Sequence, residues 1–317
     1  MDVVACTDNN YVMPTGIMMY SVCCNNADAD IVFHIITGGI KAEGKEKLIK
    51  TIKPFKNKSV VFYDAEKIDT SYFPKMKNCL FPISAFYRLF VADVLPPVLK
   101  KVIYLDVDII VRQSITPLWD FNLEDIAIAA TPESHSEENS FYERLGYPKE
   151  NGYFNSGVML INLEYWRTHN VQKDFIEYIK LHADSNIYAD QDVLNFIFRE
   201  NKMVLPVTYN FQSGFLWKER NYSAKYCQEV EQTINNPVIL HFTGVQKPWN
   251  MSCRHPYRST YMKYKSQTVW KDEPLHEDRP LSFRIKKYFG RVLRKLHIIP
   301  ELPPYGKGYM SGLYPID

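Results

Sequence analysis

Short β-branched runs alternate with helix-patterned stretches along this chain, and no other feature restricts its fold as much. Val3–Ala5, Ile31–Ile36, Ser59–Tyr63, Lys101–Val111, Ile126–Ala130, Gly157–Asn162 and Val238–Phe242 are short and apolar, which predicts strands, with Ile126–Ala130 and Gly157–Asn162 buried. Between them, Gly16–Cys24 predicts a buried helix after a start at Pro14, and Lys41–Lys53 sets Leu48, Ile49 and Ile52 at helical spacing among charges. Ile83–Val94 predicts a helix stopped by Pro96-Pro97, Leu163–His182 a long amphipathic helix, and Asp190–Arg199 a shorter one. Strands alternating with helices build an α/β fold, a mostly parallel sheet covered on both faces. Such sheets take ligands at the carboxyl ends of their strands, where the strand order reverses.

With 317 residues, 46% of them hydrophobic and 23% charged, the chain can bury a sizeable core, which excludes disorder and fibrous classes. No apolar run approaches the ~18 residues that cross a bilayer. The start, MDVVACTDNNY, lacks the basic residues and long apolar stretch of a secretory signal, so export is not expected. Thirty-eight basic against 36 acidic side chains leave +2, too small a surplus to point to nucleic acid. Cys6, Cys23, Cys24, Cys79, Cys227 and Cys253 form no C-x-x-C pattern, so the expected compartment is a reducing cytoplasm. The Asn57, Asn221 and Asn250 sequons are then chance matches. After about Trp249 the composition changes, which divides the chain into a catalytic domain, 1–250, and a C-terminal extension, 251–317.

Asp106-Val107-Asp108 interrupts the most strand-like segment, KVIYLDVDIIV. Two acids in an apolar run are costly unless a cation offsets them, and in extended chain both would face one side. Oxygen ligands suit Mg²⁺ or Mn²⁺. The spacing alone decides little, because Asp28–Asp30 and Asp190–Asp192 share it; the apolar flanks single out Asp106 and Asp108. Capping a strand or pairing with Arg88 or Arg112 remains the alternative. His241 lies in a second apolar run ending at Gly244, followed by Lys247. A core histidine is the plain reading; with a flexible turn and a point charge beside it, a metal-bound diphosphate is the functional one, and imidazole favours Mn²⁺. Thr7-Asp8-Asn9-Asn10-Tyr11 follows the first strand with polar groups suited to a base or ribose. No G-x-G-x-x-G or Walker pattern occurs there, which argues against dinucleotide oxidoreductases and P-loop kinases.

In order along the chain, VVACTDNNY, SAFYRLFVADVLP, KVIYLDVDIIV, YFNSGVMLINLEYW, YADQDVLN and HFTGVQKPW resemble the motifs of family 8 glycosyltransferases over about Met1–Trp249. The bacterial lipopolysaccharide galactosyl- and glucosyltransferases are the nearer branch, glycogenin the more distant. The resemblance implies a GT-A fold of Rossmann-like type, a UDP-sugar donor, Mn²⁺ (or Mg²⁺) and retention at the anomeric carbon. It implies Asp106, Asp108 and His241 as metal ligands. Asp8, Asn10 and Tyr11 would hold the uridine, Arg88 the donor sugar and the metal-binding acids. Asn155, Ser156 and Gly157 would line the donor-sugar pocket, Gly244 and Lys247 would grip the diphosphate, and Asp190 and Gln191 would lie below the anomeric carbon. Ser156 replaces a common alanine, Glu133 stands near a family aspartate, and Leu80 replaces an acceptor-contacting histidine. Read without the resemblance, Asn155 ends a turn, Asp190 caps a helix and Arg88 pairs with Asp93.

Leu281–Ile299 carries Arg284, Lys286, Lys287, Arg291, Arg294 and Lys295, with Ile285, Phe289, Val292, Leu293 and Leu296 on one helical face. A basic amphipathic helix predicts peripheral attachment to an anionic membrane surface, near a lipid-linked saccharide acceptor; packing on its own domain or on a partner is the alternative. A hexosyltransferase of cell-surface glycan synthesis is thus expected, against a sugar-nucleotide hydrolase or a silent glycan-binding relative.

Overall fold

The computed structural model describes residues 1–65, 68–69, 83–182 and 189–280, with scattered positions between 282 and 298. Ten strands occur among the described residues: β1 Asp2–Thr7, β2 Ile31–Thr37, β3 Lys58–Asp64, β4 Lys101–Leu105, β5 Ile109–Val111, β6 Ile128–Pro132, β7 Phe154–Asn162, β8 Lys202–Val204, β9 Phe211–Gln212 and β10 Ile239–His241. They form a seven-stranded sheet ordered β3-β2-β1-β4-β7-β6-β8 and a three-stranded sheet ordered β5-β10-β9. Helices α1 (Val12–Asn25) and α2 (Ala42–Ile52) connect β1 to β2 and β2 to β3, and all three strands are parallel. β4 returns to the other flank of β1, again parallel, while β7 runs antiparallel to both β4 and β6. The strand order therefore reverses between β1 and β4, which opens a crevice at their carboxyl ends.

Alternation along the strands explains why the central runs are apolar throughout. Val4, Cys6 and Tyr104 enter one core with Phe86, Trp166 and Phe175, and Val3, Ala5, Ile103 and Leu105 enter the other with Met18, Met19, Val22 and Leu48. Each such side chain contributes about 1.5–3 kcal/mol on burial. The α/β expectation holds, with three local differences. Lys101–Val111 is two strands, not one: β4 ends at Leu105, and the chain crosses through Asp106-Val107-Asp108 to join β5 to the smaller sheet, antiparallel to β10. Leu163–His182 is broken into Leu163–Thr168 and Val171–Leu181, because Asn170 adopts a left-handed conformation, φ 52°. Ile83–Phe90 is a 3-10 helix followed by one α-turn, Val91–Val94.

Residues 250–276 pack on the core they follow. The helix Arg258–Lys265 lies on α1, and Trp270 fills the space above Gly16, where a Cβ would come within 2.0 Å of the indole Cζ3. The backbone of Asn250 pairs with that of His276, tying the chain after Lys247 to this strap. Arg284, Lys286, Lys287, Arg291 and Lys295 fall outside the described residues. Of the described positions there, Ile285, Phe289 and Leu296 are exposed, at 49%, 60% and 62%. No helix among the described residues is long and apolar enough to cross a membrane.

Candidate active site

Where the chain crosses between its two sheets, side chains from four elements converge. Asp106 leaves β4 with its N–H donated to the Gly157 carbonyl at 2.8 Å; Asp108 accepts the Phe242 N–H on its own carbonyl at 3.0 Å. These two backbone bonds lock the crossing to β7 and β10. One ligand atom each from Asp106, Asp108 and His241 lies within 4.8 Å of the others, an arrangement able to hold one metal ion. His241 Nε2 is 3.2 Å from Asp108 Oδ1 and 3.8 Å from Asp106 Oδ2. Gly157 makes this approach sterically feasible: a Cβ there would lie 2.2 Å from His241 Cε1 and 2.8 Å from Asp106 Oδ2. Gly157→Ala should therefore cost about 1–3 kcal/mol through overpacking and weaken cation binding. Urea unfolding and Mn²⁺ titration check this, and unaltered Mn²⁺ affinity would contradict it.

The imidazole's protonation is set by a relay that the sequence did not reveal. The Gly157 N–H can only donate, and it reaches Asn155 Oδ1 at 3.0 Å; Asn155 Nδ2 then donates to the Glu133 carboxylate at 2.8 Å. Asn210 Nδ2 donates to the same Asn155 Oδ1 at 2.9 Å, which turns Asn210 Oδ1 toward His241 Nδ1, also at 2.9 Å. Nδ1 must carry the proton, so the Nε2 lone pair faces the two carboxylates. A lone pair and two acids converging on one point repel unless a cation lies between them, and a fixed second nitrogen is how histidine ligands are oriented. The donor set fits a divalent cation. Asn210 is buried completely and follows β8, a segment with no strand or motif signal to mark it.

Lys247 and Arg88 supply the remaining charge. The Lys247 ammonium contacts Asp108 Oδ2 and donates to the Phe242 carbonyl at 2.8 Å; Gly244, at φ +77°, turns the chain that carries it. Burial by itself would raise the Asp108 carboxyl, but the Lys247 ammonium in contact with it outweighs burial and holds Asp108 well below the usual carboxylate range. Arg88 is buried at the end of the 3-10 helix. Its Nη2 donates to Asp106 Oδ1 at 2.8 Å, its Nη1 to the Ser156 carbonyl at 2.9 Å, and its Nε lies 3.0 Å from Asp190 Oδ2. The pairing of Arg88 with Asp106 is thus present, and Arg88 reaches Asp190 rather than Asp93. Burial raises the Asp190 carboxyl to about 6, against the lowering by Arg88. Asp190 lies in the first turn of the helix Ala189–Ile197, accepting from Ser156 Oγ at 3.1 Å, while Gln191 Oε1 accepts the Ser156 N–H at 3.0 Å.

Asp8, Asn10 and Tyr11 stand at the carboxyl end of β1, on the other side of the crevice. Asp8 accepts the Asn10 N–H at 2.8 Å, and Tyr11 meets Trp249 edge-on at 6.1 Å between ring centres. Leu80 lies outside the described residues. Every other candidate is therefore either in the network around Asp106 and Asp108 or on the facing strand end.

Comparison with known proteins identifies the family and the fold. The model of glycosyl transferase family 8 matches residues 2–253. General stress protein A of Bacillus subtilis is 31% identical over 276 residues, 85% of this chain and 94% of that protein. Lipopolysaccharide 1,3-galactosyltransferase of Salmonella typhimurium is 29% identical, covering 83% of this chain and 77% of its own. Among solved structures, galactosyltransferase LgtC in complex with donor and acceptor sugar analogs aligns with a TM-score of 0.75 and 27% identity, over 90% of this chain and 100% of LgtC. The fold is accordingly of the GT-A type, and the enzyme class is a transferase of sugars. The family model, which spans the strand-order reversal and the Asp106–Asp108–His241 cluster alike, places the chain in glycosyl transferase family 8.

Proposed function

We propose that this chain transfers a hexose, Gal or Glc, from a UDP-sugar to a glycan or lipid-linked saccharide, with retention at the anomeric carbon. The work served is lipopolysaccharide or other cell-surface polysaccharide synthesis, as the activity of the Salmonella relative suggests. The observation that carries the reading is the Asp106–Asp108–His241 cluster beside Lys247 at the strand-order reversal. Asp106, Asp108 and His241 would hold Mn²⁺, or Mg²⁺. The ion would act as a Lewis acid, neutralising charge on the departing diphosphate, a contribution of several kcal/mol. Lys247, carried on the turn at Gly244, adds fixed positive charge to the same diphosphate without a proton transfer. Asp8, Asn10 and Tyr11 receive the uridine across the crevice. Arg88 holds Asp106 in place and, with Asn155, Ser156 and Gly157, borders the sugar.

Retention proceeds by front-face attack, in which the leaving phosphate takes the acceptor's proton. Two features support this over a covalent intermediate. Gln191 is a neutral amide whose oxygen is already bonded to Ser156, and the Asp190 carboxylate is engaged by Arg88 and Ser156. Residues 1–250 carry the catalysis. Residues 251–317 form the extension, whose exposed apolar side chains within 281–299 would meet an anionic membrane on its cytoplasmic face. Turnover of a UDP-sugar panel in Mn²⁺ tests the function. One UDP-hexose should be consumed, and a saturating saccharide acceptor should accelerate its consumption about tenfold or more. Donor loss indifferent to every acceptor would identify a hydrolase instead.

A further inference from the structure

The groups nearest the reacting centre are spent on one another. Glu133 is buried; its Oε2 accepts from Asn155 at 2.8 Å and from Gln191 at 3.3 Å, and its Oε1 accepts from Ser134 Oγ at 2.9 Å. Burial would raise this carboxyl, but hydrogen bonds led by His135 hold it low, so it stays an acceptor fully occupied by protein. The network reaches solvent through two side chains. His135 Nδ1 lies 3.1 Å from Ser134 Oγ, and its ring meets the indole of Trp217 edge-on, with centroids 4.9 Å apart at 74°. Trp217 is 38% exposed, while Trp166, Trp249 and Trp270 are buried.

This contact is built into the backbone. The turn Ser213–Leu216 packs directly on Ser134 and His135, since a Cβ on Gly214 would lie 2.2 Å from Ser134 Oγ and 2.8 Å from His135 Cε1. Only glycine lets the turn leading to Trp217 come this close to the loop bearing Glu133. A lone exposed tryptophan is ordinary. One pinned edge-on to an imidazole, three side chains from Gln191, is a prepared surface, rigid and apolar on its face and polar at its rim.

We infer that Trp217 and His135 form the platform for the acceptor, a pyranose whose C–H face stacks on the indole while a ring hydroxyl bonds the imidazole. This rests on the transferase reading and assigns the two side chains that receive its saccharide acceptor. Pyranose hydroxyls on one side and axial hydrogens on the other match that division of apolar face and polar rim. Trp217 thereby determines which acceptor is used and leaves donor activation alone.

The full chain, with Mn²⁺ and UDP, is titrated with lactose, methyl β-galactoside and methyl β-glucoside while tryptophan emission is followed. At least one sugar should shift the emission, and Trp217→Ala should abolish the shift. In turnover, Trp217→Ala should raise the KM for that sugar about tenfold, an effect of the size aromatic contacts supply. The kcat and the acceptor-free donor hydrolysis should stay within about twofold, Trp217→Tyr should restore most of the affinity, and His135→Asn should weaken it less. An unchanged acceptor KM in Trp217→Ala, or no emission shift with any of the three sugars, overturns the platform. Failure of the transferase reading has a different signature: no UDP-sugar is consumed by the wild type, while the binding titration still decides whether sugars rest on Trp217.

Discussion

Asp106→Asn combined with Asp108→Asn should abolish divalent-cation-dependent donor turnover, by about a thousandfold or more. The figure follows from the several kcal/mol that a Lewis acid contributes to a departing diphosphate, since each 1.4 kcal/mol is a factor of ten. Neutral amides keep the shape of the carboxylates but lose the charge that concentrates a cation on the His241 Nε2 lone pair. The fold should survive, because the crossing is held by backbone bonds, Asp106 N–H to Gly157 and Phe242 N–H to Asp108, that asparagine leaves intact. Removing the acids also releases Lys247 and Arg88 from unlike charge, so cation affinity should fall more than stability does. Mn²⁺ binding by calorimetry, beside donor turnover and urea unfolding, separates these effects. Near-normal turnover in the double variant would remove the cation cradle from the mechanism.

Arg88→Met should destabilise the protein by about 3–5 kcal/mol, the cost of leaving a buried acid without its partner. Asp190 is the acid that suffers, being 5% exposed and held by Arg88 Nε and Ser156 Oγ. Its carboxyl already stands raised to about 6, above the ordinary carboxylate value. A raised carboxyl contributes stability that is fully present below its unfolded value and is lost as pH rises through its folded one, because the native state binds the extra proton. Without Arg88 the folded value climbs further. The destabilisation by Arg88→Met should therefore be larger at pH 8 than at pH 5, by about 1.4 kcal/mol for each unit of further rise. Adding Asp190→Asn should recover at least about 1 kcal/mol and flatten that dependence. Equal losses at both pH values, with no recovery in the double variant, would show that Arg88 stabilises only by packing.

Recognition of the site and assembly of the site depended on different information. Asp106 and Asp108 stood out because acids are costly in an apolar run, a local property that one dimension displays. His241 also stood in an apolar run, 133 positions after Asp108 in the numbering. Only ordered motifs, taken together, joined it to the acids. Their geometry differs from the sequence expectation in one respect: the two acids do not share a strand but bridge two sheets, because β5 pairs with β10 instead of extending β4. Periodicity cannot separate one long strand from two short ones whose partners differ. The same limit hid β8 and β9, three and two residues long.

What the amino-acid order determined by itself was the α/β class, the burial of β1, β2 and β4 on both faces, and the residues whose charge demands compensation. These follow from short-range patterning and from the cost of burying charge, which any chain must meet locally. Tertiary structure alone decided that Gly157 is the space into which His241 and Asp106 fit, that Asn210 fixes the imidazole, and that Arg88 joins Asp106 to Asp190. Each of those depends on the distance between backbones remote in sequence, and a contact between remote residues leaves no period, spacing or composition by which a single chain could announce it.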